Sequence, residues 1–417
     1  MSSNNLDFED NVFDLLYERG YVDSVSHDDE LRTRLGKDSV TFYIGYDPTA
    51  DSLHVGHLLT LMAASRLQMA GHRPIILMGG GTGMVGDASE RDEMRRIMSI
   101  EEIDSNIAAI KKQASRFIDF NEGKALLLNN ADWLRPLNYL DFIRTYGTHF
   151  NVSRMVSAES YKARLASGLT FFEFNYMVMQ AYDFLELHRT HGCSLQCGGS
   201  EQWSNILAGV ELIRKVESSP AFAMTFRLLL TSDGRKMGKT QAGALWLDSN
   251  KTSPYEFFQY FRNIDDADVG SFLSVLTYIP FEEVKKMGKL RGEGINEAKE
   301  VLAFEVTKIV HGEEAAKSAL ESSRKMFGGD MDGDDIPTTE LRRDVLSAGM
   351  GVMTLLVATG LASSNSEARR VIEQGGLRIN GKQATQEDNV NIDSIKDGRI
   401  LIQKGKKVFH RVVVVEQ

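Results

Sequence analysis

Cysteine is almost absent from this chain, and so is any long apolar run. Two thiols, Cys193 and Cys197, cannot build a disulfide framework, which excludes a small disulfide-stapled extracellular fold and fits a reducing compartment. No stretch of eighteen apolar residues exists, so no membrane-spanning helix is expected. The acidic N-terminus, Met1 to Asp10, lacks a signal or transit-peptide pattern, and a cytoplasmic location is the expectation. Surplus positive charge is missing too. The net charge is −10, the wrong sign for a chain that binds nucleic acid along its whole length. The deficit is uneven: residues 351–417 hold ten Lys+Arg against seven Asp+Glu, and the remainder holds 38 against 51. A basic tail on an acidic body is what a separate RNA-contacting module gives. The rest is ordinary for a globular protein, with 42% hydrophobic and 25% charged residues over 417 positions, enough for two or three domains.

The chain is organised around the stretch from Tyr43 to His57. Val40 to Ile44 read as a buried strand, Asp47-Pro48 breaks it, and a helical pattern runs from Leu53 to Ala70, where Gly71 stops it. A helix N-terminus gathers unpaired N–H groups and partial positive charge, so an anion such as a triphosphate can dock there. His54 and His57, three residues apart, share one helix face and add donors, and Gly56 leaves room for a flat group against the backbone. The spacing does not fit a zinc-protease helix, which needs histidines at i and i+4 with a glutamate between. About 180 residues further on, Ser232-Asp-Gly-Arg235 leads into Lys236-Met-Gly-Lys-Thr240. Two lysines three apart in a glycine-containing loop form a cationic clamp suited to phosphates.

Together the H-x-G-H helix start and the K-M-G-K-T loop resemble the two signature motifs of class I aminoacyl-tRNA synthetases. The surrounding residues resemble the bacterial tyrosine-specific branch over nearly the whole chain. The resemblance implies a Rossmann-like catalytic domain that activates tyrosine with ATP, releases pyrophosphate and passes tyrosine to the 3′ end of tRNA(Tyr). His54, His57 and Thr49 are then expected on the phosphates from one side, with Lys236, Lys239 and Thr240 closing from the other. Magnesium comes with the nucleotide; no tightly bound cofactor and no resident metal are expected.

Elsewhere the pattern fits a doubly wound α/β domain. Pro74 to Met78 and Lys124 to Leu128 read as further buried strands, with a helix from Ile100 to Phe117. Gly81, Gly83 and Gly86 match the G-x-G-x-x-G spacing of dinucleotide-binding dehydrogenases. That fingerprint wants a strand ending in an acid some twenty residues on, where this chain has a helix. The glycines are instead expected to let a ligand near the backbone, with Asp87 at the rim. Tyr43, Asp47, Asp87 and Asn130 all fall at or just after strand ends, where ligands of such sheets bind.

Phe171 to Leu187 reads as an apolar helix carrying a polar stripe, Tyr176, Gln180 and Asp183. A buried carboxylate needs a partner. A substrate phenol supplies one, accepted by Asp183 and donated to by Tyr43, with Tyr176, Gln180 and Asp87 holding an ammonium group. The resemblance assigns the same roles, adds Gln202 for tyrosine, and gives Asp47, Gly56, Gly199, Glu201 and Lys239 to ATP. Three residues depart from the family's usual ones: Glu201 for Asp, Ser204 for Gly and Ile44 for Cys. His188, His191, Cys193 and Cys197 fit no structural zinc spacing.

The expected domains are a catalytic one over residues 1–250, a helical anticodon-arm domain over 251–325, a Gly/Asp-rich linker over 326–350 and a small α+β RNA-binding domain over 351–417. In the last, Arg369, Arg370, Arg378 and Lys382 are expected to meet phosphates. The resemblance also implies a homodimer, with helices between Asn138 and Leu165 as the expected interface. Two other functions compete: a nucleotidyltransferase acting on a non-amino-acid substrate, and an RNA-binding protein without catalysis. Tryptophan is the rival amino acid.

Overall fold

The opening strand of the sequence pattern becomes the middle of a six-stranded sheet. A computed structural model of the chain describes residues 11–87, 98–240, 243–327, 337–347, 349–396, 398–405 and 408–415. The strands are β1 (Val22–Val25), β2 (Thr41–Tyr46), β3 (Arg73–Met78), β4 (Leu126–Asn129), β5 (Leu195–Gly199) and β6 (Phe222–Phe226), in the order β1-β6-β5-β2-β3-β4. All neighbours run parallel except β1, an antiparallel edge on β6. From β2 the chain crosses through α1 (Val55–Met69) to β3; from β5 it crosses through α4 (Trp203–Glu217) to β6, on the opposite side. The strand order therefore reverses between β2 and β5, and a crevice opens beyond their carboxyl ends. Two more helices flank it: α2 (Ile100–Ala114) and α3 (Tyr176–His191).

Helix α1 is apolar nearly all round because it is enclosed. Leu58, Leu61, Met62, Ala63 and Ala64 expose no surface. Its last turn carries a buried arginine, Arg66, which donates to Tyr21 Oη at 3.0 Å and to the Thr277 carbonyl at 2.5 Å. Arg19 likewise donates to the carbonyls of Ser274 and Ile279. Of these, the Ser274 carbonyl is left open in the last turn of the helix Val269–Leu276, Thr277 is its C-cap and Ile279 lies just beyond.

That contact corrects the expected domain boundary. The chain divides into two compact units, the first comprising the chain up to Gly238, Trp246–Asp248 and Ile264–Leu302, the second Lys239–Leu245, Ser249–Asn263 and Ala303–Gln417. Part of the expected 251–325 helical domain thus packs with the catalytic sheet. In the second unit, helix Pro254–Arg262 meets helix Glu313–Phe327 through a Gln259–Ser323 hydrogen bond of 2.9 Å.

The expected linker over 326–350 is also too long. Thr338–Arg342 is a strand lying parallel to Val408–Val415 at the edge of a five-stranded sheet, and Leu346 is fully buried in that domain's core. Alternating Thr/Glu/Arg residues disguised an edge strand as a polar spacer. The hairpin between Leu377–Ile379 and Lys382–Gln383 turns through Asn380 and Gly381, at φ 49° and 80°, the two positive values a type I′ turn requires.

Candidate active site

His54 is the N-cap of α1, and the two histidines close that end reciprocally. Gly56 N–H donates to His54 Nδ1 at 3.1 Å, and His54 N–H donates to His57 Nδ1 at 3.2 Å. This is a capping box made of imidazoles. Because both Nδ1 atoms accept from backbone N–H groups, the neutral ring's proton resides on Nε2. The rings stack at 4.0 Å between centroids, 35° apart. Burial, with His54 alongside, pushes the His57 pKa down to about 3, so that ring stays neutral at physiological pH. The space over Gly56 belongs to this cap: a Cβ there would stand 2.8 Å from His54 Cε1. The glycine thus makes room for the protein's own imidazole. Thr49 is exposed in the preceding turn, with its N–H bonded to the Asp47 carbonyl at 2.8 Å.

Across the crevice the helix that carries the polar stripe begins later than the sequence suggests. The expected helix from Phe171 breaks at Asn175, and Tyr176 opens α3 itself. Asp183, 2% exposed, accepts from Asn130 Nδ2 at 2.9 Å and from Trp133 Nε1 at 2.7 Å. Asn130 Nδ2 also reaches Thr82 Oγ1 at 2.9 Å, Thr82 donates to Asp47 at 2.8 Å, and Tyr176 donates to the other oxygen of Asp47 at 3.0 Å. One hydrogen-bonded chain therefore joins the ends of β2, β3 and β4 to α3. Burial pushes the Asp183 carboxyl up to about 7, against the pull of its Asn130 and Trp133 bonds. Beside it the Tyr43 hydroxyl is wholly buried and has no hydrogen-bond partner, and Gln180 Oε1 has none either. Burial first, then the Asp183 charge, raises the Tyr43 pKa well above that of a free phenol.

The remaining sequence candidates fall around this centre. Gln202 Nε2 donates to Asp87 Oδ2 at 2.7 Å, joining the glycine turn after β3 to the turn after β5. Those glycines too are approached by the protein's own side chains. A Cβ on Gly79 would meet Asp47 and Thr82, one on Gly80 would meet Asn129, and one on Gly199 would meet the Glu201 carboxylate. Lys236 lies exposed in a hairpin closed by its bridge to Leu230 and by Met237 N–H on the Leu229 carbonyl at 2.8 Å. Lys239 and Thr240 form a short strand paired with Gly243–Ala244; their side chains lie outside the described residues. The chain then returns to the histidines: Trp246 bridges His54, and Leu247 N–H donates to the Leu53 carbonyl at 2.9 Å. Trp133 and Thr82 were not singled out from sequence; a tryptophan just past a strand end was the only available signal for the first. In the small C-terminal domain Arg369, Arg370, Arg378 and Lys382 are all exposed. Cys193 and Cys197 are buried, their thiol pKa values raised chiefly by that burial.

Residues 36–328 match the family described as tRNA synthetases class I (W and Y), and residues 330–412 match the tyrosine--tRNA ligase SYY-like C-terminal domain. The tyrosine--tRNA ligase of Clostridium kluyveri is 55% identical over 405 residues, 97% of this chain and 99% of that one. That of Caldanaerobacter subterraneus subsp. tengcongensis is 54% identical over 406 residues, 97% of this chain and all of the other. Among solved structures, a C-terminally truncated Aspergillus nidulans mitochondrial tyrosyl-tRNA synthetase superposes with a TM-score of 0.68 at 27% identity, over 76% of this chain and 94% of its own. The enclosed histidine cap, the lysine hairpin and the carboxylate pocket are thus set in the fold of these proteins, and the chain belongs to the class I tRNA synthetase family of the W and Y type.

Proposed function

We propose that the chain activates L-tyrosine with ATP to tyrosyl-adenylate and pyrophosphate, then transfers the tyrosyl group to the 3′ end of tRNA(Tyr). The observation that carries this reading is the pairing of the partnerless Tyr43 hydroxyl with the buried Asp183 carboxylate. A buried hydroxyl without a partner is costly, and a phenol satisfies both groups at once, donating to Asp183 and accepting from Tyr43. An indole has only a donor and leaves the Tyr43 hydroxyl orphaned, which favours tyrosine over tryptophan.

The amino group of the substrate has three acceptors available. Tyr176 donates its proton to Asp47 and so turns an oxygen lone pair outward, Gln180 supplies its amide oxygen, and Asp87, braced by Gln202, supplies the carboxylate. The tyrosine carboxylate then attacks the α-phosphorus in line: one C–O–P bond forms as the bond to pyrophosphate breaks, with no protein nucleophile. Catalysis is positioning and charge stabilisation. The Nε2–H groups of His54 and His57, with Thr49, face the phosphates at the helix N-terminus, and Lys236, Lys239 and Thr240 approach as cations and donor. Asp47, Gly199, Glu201 and the His54 ring seated over Gly56 line the nucleotide's path, Glu201 as ribose acceptor. Magnesium enters as part of the nucleotide substrate.

Two further roles complete the proposal. Arg369, Arg370, Arg378 and Lys382 contact tRNA phosphates, and the helices Pro254–Arg262 and Glu313–Phe327 of the second unit meet the anticodon arm. Tyr139, Leu140, Ile143, Val152 and Leu165 are exposed apolar residues between positions 138 and 165, a surface suited to a second copy of the chain in a homodimer. The reaction takes place in the cytoplasm, with its tRNA. Amino-acid-dependent exchange of pyrophosphate into ATP tests the reading: exchange with tyrosine and not with phenylalanine or tryptophan is expected, and exchange with none of the three overturns it.

A further inference from the structure

We infer that Trp246 is a positioning residue for His54, an inference that rests on the tyrosine-activating reading above. Histidine is not among the preferred N-cap residues, so holding its ring over the helix end in one orientation needs support beyond the bond from Gly56 N–H. Three surfaces surround the ring. Gly56 lies beneath it with no side chain, the His57 imidazole stacks on it at 4.0 Å, and the Trp246 indole meets it edge-on, with centroids 6.1 Å apart at 66°. The tryptophan is itself fixed through its backbone, since Trp246 bridges His54 and Leu247 N–H donates to the Leu53 carbonyl at 2.9 Å.

The attachment point is therefore the same residue whose side chain is being aimed. Trp246 is also the first part of the chain to rejoin the catalytic unit after the lysine loop. The indole packs edge-on against a ring whose Nδ1 accepts from the Gly56 amide, and so limits its rotation. Removing the indole frees the ring to rotate about its χ angles, and a donor displaced by about 1 Å from a developing charge can lose up to about a hundredfold in rate.

The test compares wild type, Trp246→Ala and Trp246→Phe by tyrosine-dependent pyrophosphate exchange. Trp246→Ala is expected to lower kcat by about tenfold to a hundredfold with KM for tyrosine unchanged, and Trp246→Phe, which keeps an aromatic edge, to restore most of it. Unchanged kcat in Trp246→Ala, a KM for tyrosine that worsens in step with kcat, or a Phe variant no better than Ala overturns the inference in favour of a purely structural role. Wild-type protein that supports no exchange overturns the functional reading itself. The positioning claim is then decided by histidine ¹⁵N shifts: His54 is expected to show an accepting Nδ1 in wild type and Trp246→Phe and a tautomer mixture in Trp246→Ala, and identical spectra in all three refute it.

Discussion

The histidine cap and the Asp183 pocket lie on either side of one crevice, yet they are prepared in opposite ways. In the cap, His54 Nδ1 and His57 Nδ1 accept from backbone N–H groups within three residues of themselves. In the pocket, Asp183 takes its hydrogen bonds from residues fifty positions away in sequence, and Tyr43 beside it takes none. The cap is a locally satisfied pair of imidazoles at a helix N-terminus. The pocket holds a buried carboxylate and a buried hydroxyl that has no hydrogen-bond partner. One region should therefore govern rate and the other should govern which amino acid enters.

The largest effect expected from this contrast is on kcat. His57→Ala removes a preorganised donor and is expected to lower kcat by about 10²- to 10³-fold while leaving KM for tyrosine nearly unchanged, measured by pyrophosphate exchange. Asp183→Asn should act on the other parameter. Losing a hydrogen bond to a charged group is expected to raise KM for tyrosine by about tenfold to a hundredfold; a change confined to kcat would break the distinction.

The two regions also separate by pH. With its pKa near 3, His57 contributes no titration between pH 5 and 8, whereas Asp183, pushed up to about 7, becomes the stronger, charged acceptor only as it ionises. KM for tyrosine is expected to fall as pH rises toward about 7 and then level off. Trp133→Phe, which removes a donor to the carboxylate, should move that midpoint upward. Stability carries the matching sign. The folded pKa of Asp183 lies above that of an unfolded aspartate, near 3.9. The unfolded chain therefore releases this proton first, and stability falls as pH rises from about 4 to about 7. Asp183→Asn should abolish that part of the slope in a pH series of thermal melts.

The smallest effect serves as a control for both regions. Arg378→Ala, exposed in the C-terminal domain, is expected to leave pyrophosphate exchange unaltered. It should weaken tRNA binding modestly, with the salt slope reduced by roughly one.

The same contrast explains what could be read from sequence. The cap was legible because its bonds are local: H-x-G-H places two imidazoles on one turn, and the strand before it is a short apolar run with a proline stop. The polar stripe on α3 was legible through helical periodicity. Asp183 and Tyr43 were expected to share a phenol, and the structure does bring them into one buried neighbourhood. The bonds from Trp133 and Asn130, and those linking Thr82, Asp47 and Tyr176, were not legible, since each joins different strand ends and depends on strand order. The surroundings of Gly56 and Gly79 were hidden for a related reason. Sequence shows that a Cβ is missing but not what occupies the space, which is His54 in one case and Asp47 with Thr82 in the other. The edge strand Thr338–Arg342 escaped because its partner lies about seventy residues downstream and one-sided burial leaves it polar.

The central claim, that a tyrosine hydroxyl completes the buried pair of Tyr43 and Asp183, is tested most directly by pyrophosphate exchange in Tyr43→Phe. The account predicts that wild type prefers tyrosine over phenylalanine strongly and that Tyr43→Phe gives up about tenfold of that preference, with kcat for tyrosine little changed. A Tyr43→Phe enzyme that discriminates as well as wild type would contradict it, because the orphaned hydroxyl would then have no part in recognising the substrate.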